Sequence, residues 1–547
     1  MTNRSVRWLV GISVALTAFI PSLYPARATG PVTPSSFSVG ADAQDLSPSA
    51  NLIATKRLFL GGYGLSNGQV GTPGHAVQGP AAKPRYATGV MADPFGPWVR
   101  AVAISNGSST IVMTDLDNQG MFAAYKPNIE TGQPRPYGID DIRAQVSKDI
   151  GLDPKNIVVS SDHSHAGQDL TGVWGFVPDE YMSFVKDQAV KAIENAVAAA
   201  RPAVLKEGAV MTPGPYEPGH ILNNQFDQTD TGQDTVDNEL RVMQALDATD
   251  GSTIATIINF AAHATVGGSG NTLISSDWVS TAARYAEKRY GGVGITLVAD
   301  VGRSQPARSD CTADEVAGAQ AGTNDLDVDM RQLDSCKMSK YARQVMGYVE
   351  QIVSSPSFTA VDASPIDATS YFIHEPSTSA VLFGLNYAGD IAGAPISRAV
   401  TPPYLAGTVL GTWVSAFRVG DLLITTAPGE AYPNIREQVM AQVSGPRRFW
   451  TIGLANDQLG YFISPTPDAY PIAIRHSINI NTADPSKSGL GNDNYFFNVT
   501  HTIGDHVMCK QVQGAADLGF SVVPAAKCAA FFLEPDTSGP GGTRPLA

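Results

Sequence analysis

Residues 253–265 read TIATIINFAAHAT. β-branched and apolar residues run on from Thr253 to Ala262, the strongest β-like stretch in the chain, and the run ends on His263. An imidazole there is unusual. Burying one costs desolvation free energy unless hydrogen bonds or a metal satisfy it. For a single such residue a hydrogen-bonded core histidine is the commoner explanation, so the rest of the sequence has to decide.

Similar apolar runs recur at AVAI (101–104), TIVMTD (110–115), NIVVSS (156–161), GITLVAD (294–300), DLLITTAP (421–428) and WTIGLAN (450–456). They alternate with helical stretches. The clearest helix runs from about Asp179 to Arg201, with an apolar stripe of Tyr181, Phe184, Val185, Ala189, Ile193 and Val197, and Pro202 ends it. This mixture predicts an α/β fold with a mixed sheet, as one large catalytic domain over residues 51–534. Residues 29–50 are Ser/Pro/Gly-rich and read as a flexible leader, and 535–547 as a disordered tail.

Arg4 and Arg7 precede an apolar run from Trp8 to Tyr24 and then Ala26-Arg27-Ala28. That is the form of a signal peptide over residues 1–28, cleaved after Ala28, in a secreted or periplasmic protein. No later run is long enough to span a bilayer. The net charge of −14 and the lack of a basic stripe argue against nucleic acid as a partner. Four cysteines in an exported chain suggest two disulfides, and sequence proximity favours Cys311–Cys336 and Cys509–Cys528. The acidic excursion between the first pair lacks the spacing of a calcium loop and reads as solvated.

Three further segments share the form of 253–265: an apolar strand, a small or polar turn, then a potential ligand. SSDHSHAGQD (160–169) places His163 and His165 just past a strand, TTAPGE presents Glu430, and GLANDQLGY presents Tyr461. Ligands at successive strand ends converge on one sheet edge, where α/β proteins usually place sites. Two imidazoles, a carboxylate and a further oxygen suit Zn²⁺. Asp277, in NTLISSDW, stands where it would orient a ligand from outside. GLSNG around Ser66 fits a nucleophile-elbow pattern, but Gln69-Val70-Gly71-Thr72-Pro73-Gly74 cannot start the helix that motif needs.

In order along the chain, GGYG, SSDHSHAG, the segment from Val236 to Thr265, NTLISSDW, TTAPGE and GLANDQLGY resemble the motifs of the neutral/alkaline ceramidase family, zinc amidases that release fatty acid from sphingoid bases. The resemblance implies that family's catalytic-domain fold. It also implies Zn²⁺ held by His163, His263, Glu430 and Tyr461, with His165 in proton transfer or oxyanion stabilisation. Ser304 is the nearest hydroxyl to the family's serine, whose register falls on Gln305 in VADVGRSQPAR. GHILNNQF stands where an Asn-Arg-Ser stretch is expected, and the residues after Tyr461 are too few for the family's C-terminal β-sandwich as well. The expected activity is hydrolysis of an amide in a small or lipid-like N-acyl substrate by metal-activated water. Two rivals stand beside it: an inert exported zinc- or ligand-binding protein on the same fold, and a metal-dependent amidohydrolase or esterase of another substrate class.

Overall fold

The computed structural model describes residues 37–55, 58–63, 85–125, 127, 132–174, 178–215, 217–224, 236–362, 365–377, 399–400, 409–464, 478–479, 489–490 and 498–532. Strands β1 (Phe37–Asp45), β2 (Trp98–Ser105), β3 (Thr110–Leu116), β4 (Ile157–Ser161), β5 (Arg201–Met211), β6 (Glu239–Asp247), β7 (Thr253–Phe260) and β8 (Val293–Val298) form one large sheet. Their order is β8-β7-β6-β5-β1-β2-β3-β4, and the short β9 (Thr359–Ala360) pairs with β5. A second sheet carries β10 (Ile366–Pro376), β11 (Val409–Val419), β12 (Leu422–Thr426) and β13 (Arg448–Ile452) in chain order.

Side chains alternate across each strand, so each sheet has two apolar faces to cover. Val102, Ile104, Met243, Ile257 and Leu297 of the first sheet meet Phe417, Ile424, Trp450 and Ile452 of the second in one buried cluster. Helices α1 (Ile139–Ile150), α2 (Asp179–Ala198), α3 (Asp277–Tyr290) and α4 (Ser335–Ser354) cover the outer face of the large sheet. Val99 and Ala101 pack with Ile142 and Val185 there, and Val242 and Ile258 pack with Val279 and Val345. Helix α5 (Ile503–Asp517) sets Val507 and Val512 in the cluster that also holds Val414 and Leu423 of the second sheet. The result is four layers, helix on sheet on sheet on helix.

In the large sheet only the outermost pairs, β7 with β8 and β3 with β4, are parallel. Each needs a crossover, supplied by α3 and α1. Among the described residues this is not a closed barrel of eight parallel strands. Counted pair by pair, β4 runs opposite to β7, yet the C-terminal ends of both open on one site. A twist of about 20–25° per step, summed over the steps between them, turns the strands by on the order of 120–150° and removes the conflict. Residues 453–456 close the gap between the two edges: Gly453 N–H donates to Val298 O (2.8 Å), Ser161 N–H to Leu454 O (3.1 Å) and Asn456 N–H to Val159 O (2.7 Å).

Each apolar run read as a strand is a strand, and the long helix spans Asp179–Ala198, with Tyr181, Val185, Ala189 and Ile193 buried. It stops short of Pro202, which already belongs to β5. The flexible leader is corrected. Residues 37–45 form β1 in the middle of the sheet, paired with β2 and β5. Phe37 and Val39 point inward, and a Cβ on Gly40 would lie 2.1 Å from Ala196 O, so that glycine serves close helix packing rather than flexibility. Residues 1–36 and 533–547, with the expected signal peptide and tail, and Ser66 lie outside the described residues.

Both expected disulfides are formed, Cys311–Cys336 and Cys509–Cys528. The excursion inside the first carries an exposed helix, Ala313–Ala321, capped by Thr312 and Glu315. Its acidic residues are met by the protein: Tyr285 Oη donates to Asp327 (2.6 Å) and Arg331 pairs with Asp329 (2.6 Å). Among the described residues no helix is long and apolar enough to cross a membrane.

Candidate metal centre

His163 lies two residues beyond β4 in a tight turn rather than on the strand itself, with a φ of 61°. A non-glycine residue in this region costs on the order of 1–3 kcal/mol and needs support. Asp162 supplies it, its Oδ1 accepting from Asn118 N–H (2.9 Å) and Ser164 N–H (3.0 Å). His263 follows β7 through Ala261 and Ala262, and its backbone is held on both sides. Its N–H donates to Ser304 O (3.1 Å), and Trp278 Nε1–H donates to its carbonyl (3.1 Å). Glu430 follows β12 across the Pro428-Gly429 turn. A Cβ on Gly429 would lie 2.4 Å from Gly460 O, so only glycine lets the two strand exits meet.

The two imidazoles are oriented alike. His163 Nδ1 lies 2.8 Å from Gln119 O, and His263 Nδ1 lies 3.1 Å from Ser304 O. A carbonyl accepts, so both Nδ1 atoms carry the proton and both Nε2 lone pairs face inward. There they meet one oxygen of Glu430, Oε2, at 3.2 Å from His163 and 3.0 Å from His263. Three acceptors this close, in residues exposed by 5% or less, repel one another unless a cation or a proton sits among them. That donor set fits a metal ion. Imidazole nitrogen with one carboxylate, each imidazole braced through its other nitrogen, is the chemistry zinc favours.

His165, expected outside the ligand set, is drawn into the same cluster. Its Nε2 lies 3.3 Å from His163 Nε2, and the ligand atoms of His163, His165 and His263 all lie within 4.8 Å of one another. Its Nδ1 is buried without a hydrogen-bond partner. Burial first, then the neighbouring His163 and His263, hold its pKa well below the usual imidazole range, so it stays neutral at pH 7. With a proton in the cation's place among these atoms, burial still opposes ionisation of Glu430, but the charge on His163 and hydrogen bonds from His163 and His263 hold its carboxyl well below the usual range. Burial likewise opposes charge on His163, and Glu430 outweighs it, raising that pKa.

Tyr461 is the register partner of Glu430 in a two-residue parallel pair, Glu430–Ala431 with Tyr461–Phe462, which sets the two side chains next to each other. Ser304 enters differently from the expectation. Its carbonyl braces His263, while its Oγ is fully buried with no hydrogen-bond partner. Asp277 does not touch a ligand side chain. Its carboxylate accepts from Val266 N–H (3.0 Å) and Gly267 N–H (2.7 Å), pinning the turn after His263.

Several supporting residues were not singled out in the sequence, Tyr63 and Gln458 even though they lie inside GGYG and GLANDQLGY. Gln458 Nε2 reaches Glu430 Oε1 (3.5 Å), and the Gln119 carbonyl braces His163. Arg85 ties together the carbonyls of Gly61 (3.1 Å), His165 (2.9 Å) and Asn271 (3.1 Å), and the Tyr63 ring meets His165 edge-on with centroids 4.9 Å apart. Gly62, in the GGYG element, sits at a φ of 89° directly against the His165 ring.

No protein-family model matches the sequence, and no curated protein matches it. Solved structures do. The chain is similar to the crystal structure of neutral ceramidase from Pseudomonas aeruginosa, with 16% identity and a TM-score of 0.60 over 90% of this chain and 77% of that one. It is also similar to a structure of ceramidase complexed with C2, with 15% identity and a TM-score of 0.57 over the same shares. At such identities the likeness is one of fold. The chain is a single mixed α/β domain with a ceramidase-like fold.

Proposed function

We propose that this chain is an exported zinc-dependent hydrolase that cleaves a linear amide in an N-acyl, lipid-like substrate. The observation that carries the reading is the convergence of His163 Nε2, His263 Nε2 and Glu430 Oε2 on one point, with both Nδ1–H groups already committed to carbonyls. In this reading those three residues hold the metal and Tyr461, beside Glu430, completes the set. When bound, zinc supplies Lewis acidity that polarises the scissile carbonyl and eases deprotonation of water.

The chain's own residues do the rest. Gln119 O and Ser304 O hold the two imidazoles in the tautomer that leaves Nε2 unprotonated. His165, with its Nε2 3.3 Å from that of His163, is placed to accept a proton from water and return it to the leaving amine. In the overall reaction a water oxygen joins the acyl carbon, the C–N bond breaks, and a proton passes to the amine. Ser304 acts here through its carbonyl rather than its hydroxyl. Two disulfides fit an oxidising, exported setting.

The test is metal analysis of the purified mature chain, followed by a chelator-sensitive screen of N-acyl amides. Bound zinc with turnover that chelation abolishes is expected. Zinc without turnover favours the inert rival. A metal-free wild type from which His163→Ala and Glu430→Ala do not differ sinks the metal reading altogether.

A further inference from the structure

Two residues after His263, the carbonyl of Thr265 accepts two hydrogen bonds, from Tyr63 Oη (2.9 Å) and from Arg308 Nη1 (3.1 Å). The Thr265 hydroxyl donates to Gln305 Oε1 (3.0 Å). Tyr63 in turn lies against His165, so Arg308 and Gln305 stand on the rim of the metal centre. Their remaining donors are unspent. Arg308 is exposed and makes no ion pair among the described residues, and Gln305 Nε2 has no partner there. Nearby cations are consumed by contrast, Arg85 by three carbonyls and Lys337 by Asp310 (2.9 Å).

Asp277 and Asp310 feel the charge of Arg308, but neither contacts its guanidinium, so in a chain of net charge −14 its fork is left open beside the candidate metal centre. Its fork matches a carboxylate in two parallel N–H···O bonds. The bond to Thr265 O already restrains the side chain, so less rotamer freedom is lost on binding. We propose that Arg308, with Gln305 Nε2 beside it, binds an anionic group on the substrate. The preferred amides are then N-acyl compounds with a carboxylate close to the scissile bond, of the N-acyl amino acid type, rather than neutral N-acyl amino alcohols. The reaction in this inference rests on the hydrolase reading, whereas the binding preference does not.

N-lauroylglycine and N-lauroylethanolamine differ only in carrying a carboxylate or a hydroxymethyl group, and so isolate the charge. Titration calorimetry on the chelator-treated full-length mature chain is expected to show the glycine conjugate binding about tenfold tighter or more, a difference that shrinks with added salt. Arg308→Ala should abolish most of that difference and Arg308→Lys should keep part of it, with unchanged thermal unfolding confirming that both variants fold. Equal affinities for the wild type, or a preference that survives Arg308→Ala, overturns the proposal. Steady-state kinetics on zinc-loaded protein then separates the two readings. An Arg308-dependent binding preference without turnover of either compound leaves the proposal standing and removes the hydrolase. Turnover of both at equal kcat/KM does the reverse.

Discussion

Nε2 of His263 lies 3.0 Å from Oε2 of Glu430, across 167 residues of sequence. Because His263 Nδ1–H is committed to Ser304 O, the contact sets a lone pair against a carboxylate and is favourable only with a positive charge between them. Glu430→Gln keeps the shape and removes the charge. Competition with a chromophoric chelator should show zinc affinity falling by more than the ~10–100-fold that loss of a supporting partner typically costs. An unchanged affinity would mean that Glu430 serves the histidines only as a hydrogen-bond acceptor.

Tyr461 sits beside Glu430 by backbone register, and its proposed role as the fourth ligand rests on that placement. Tyr461→Phe retains the ring that packs in the core and removes only the hydroxyl. Zinc should bind on the order of tenfold more weakly, with the thermal midpoint of the metal-free protein unmoved. Equal affinity in the two proteins takes Tyr461 out of the ligand set.

The strands were legible because those that carry the core are nearly all apolar: IVVSS of β4 and LLITT of β12 are buried at every position. β1 was not, since beyond Phe37 and Val39 it is small and polar, and it is stabilised by strands on both sides rather than by its own composition. Helix α3 was hidden in the same way, opening on Asp277 at a φ of 55°. The four strand exits could be read singly, but their convergence depends on the summed twist of the sheet, which no local pattern carries. His165 shows the same limit: spacing along a strand keeps alternate side chains about 6.7 Å apart, whereas the turn brings its ring centroid to 4.8 Å from that of His163.

Gly62 tests how tightly that turn is packed. Its φ of 89° disfavours any side chain, and an added Cβ would lie 2.2 Å from His165 Cγ. Gly62→Ala should therefore cost about 1–3 kcal/mol in urea unfolding and displace the His165 ring. A variant of wild-type stability, with His165 unmoved in its crystal structure, would show that residues 61–63 can repack around the methyl group.

Asp300, fully buried after β8, should leave its mark on the pH dependence of stability. Its Oδ2 accepts from Thr451 Oγ1 (2.7 Å), but burial first, and then Asp237, push its pKa up to about 7. The unfolded chain titrates this group near ~3.9, so the folded state holds the proton more tightly. Its contribution to stability is then fully present below about pH 4 and is lost as pH rises through about 7, by at most on the order of 4 kcal/mol. Asp300→Asn fixes the neutral form. Between pH 5 and pH 8 the wild type should lose stability relative to this variant, read as diverging urea midpoints with equal m-values. Midpoints that keep a constant separation across that range would show that Asp300 is already ionised at pH 5, with the Arg241 and Arg436 charges outweighing its burial.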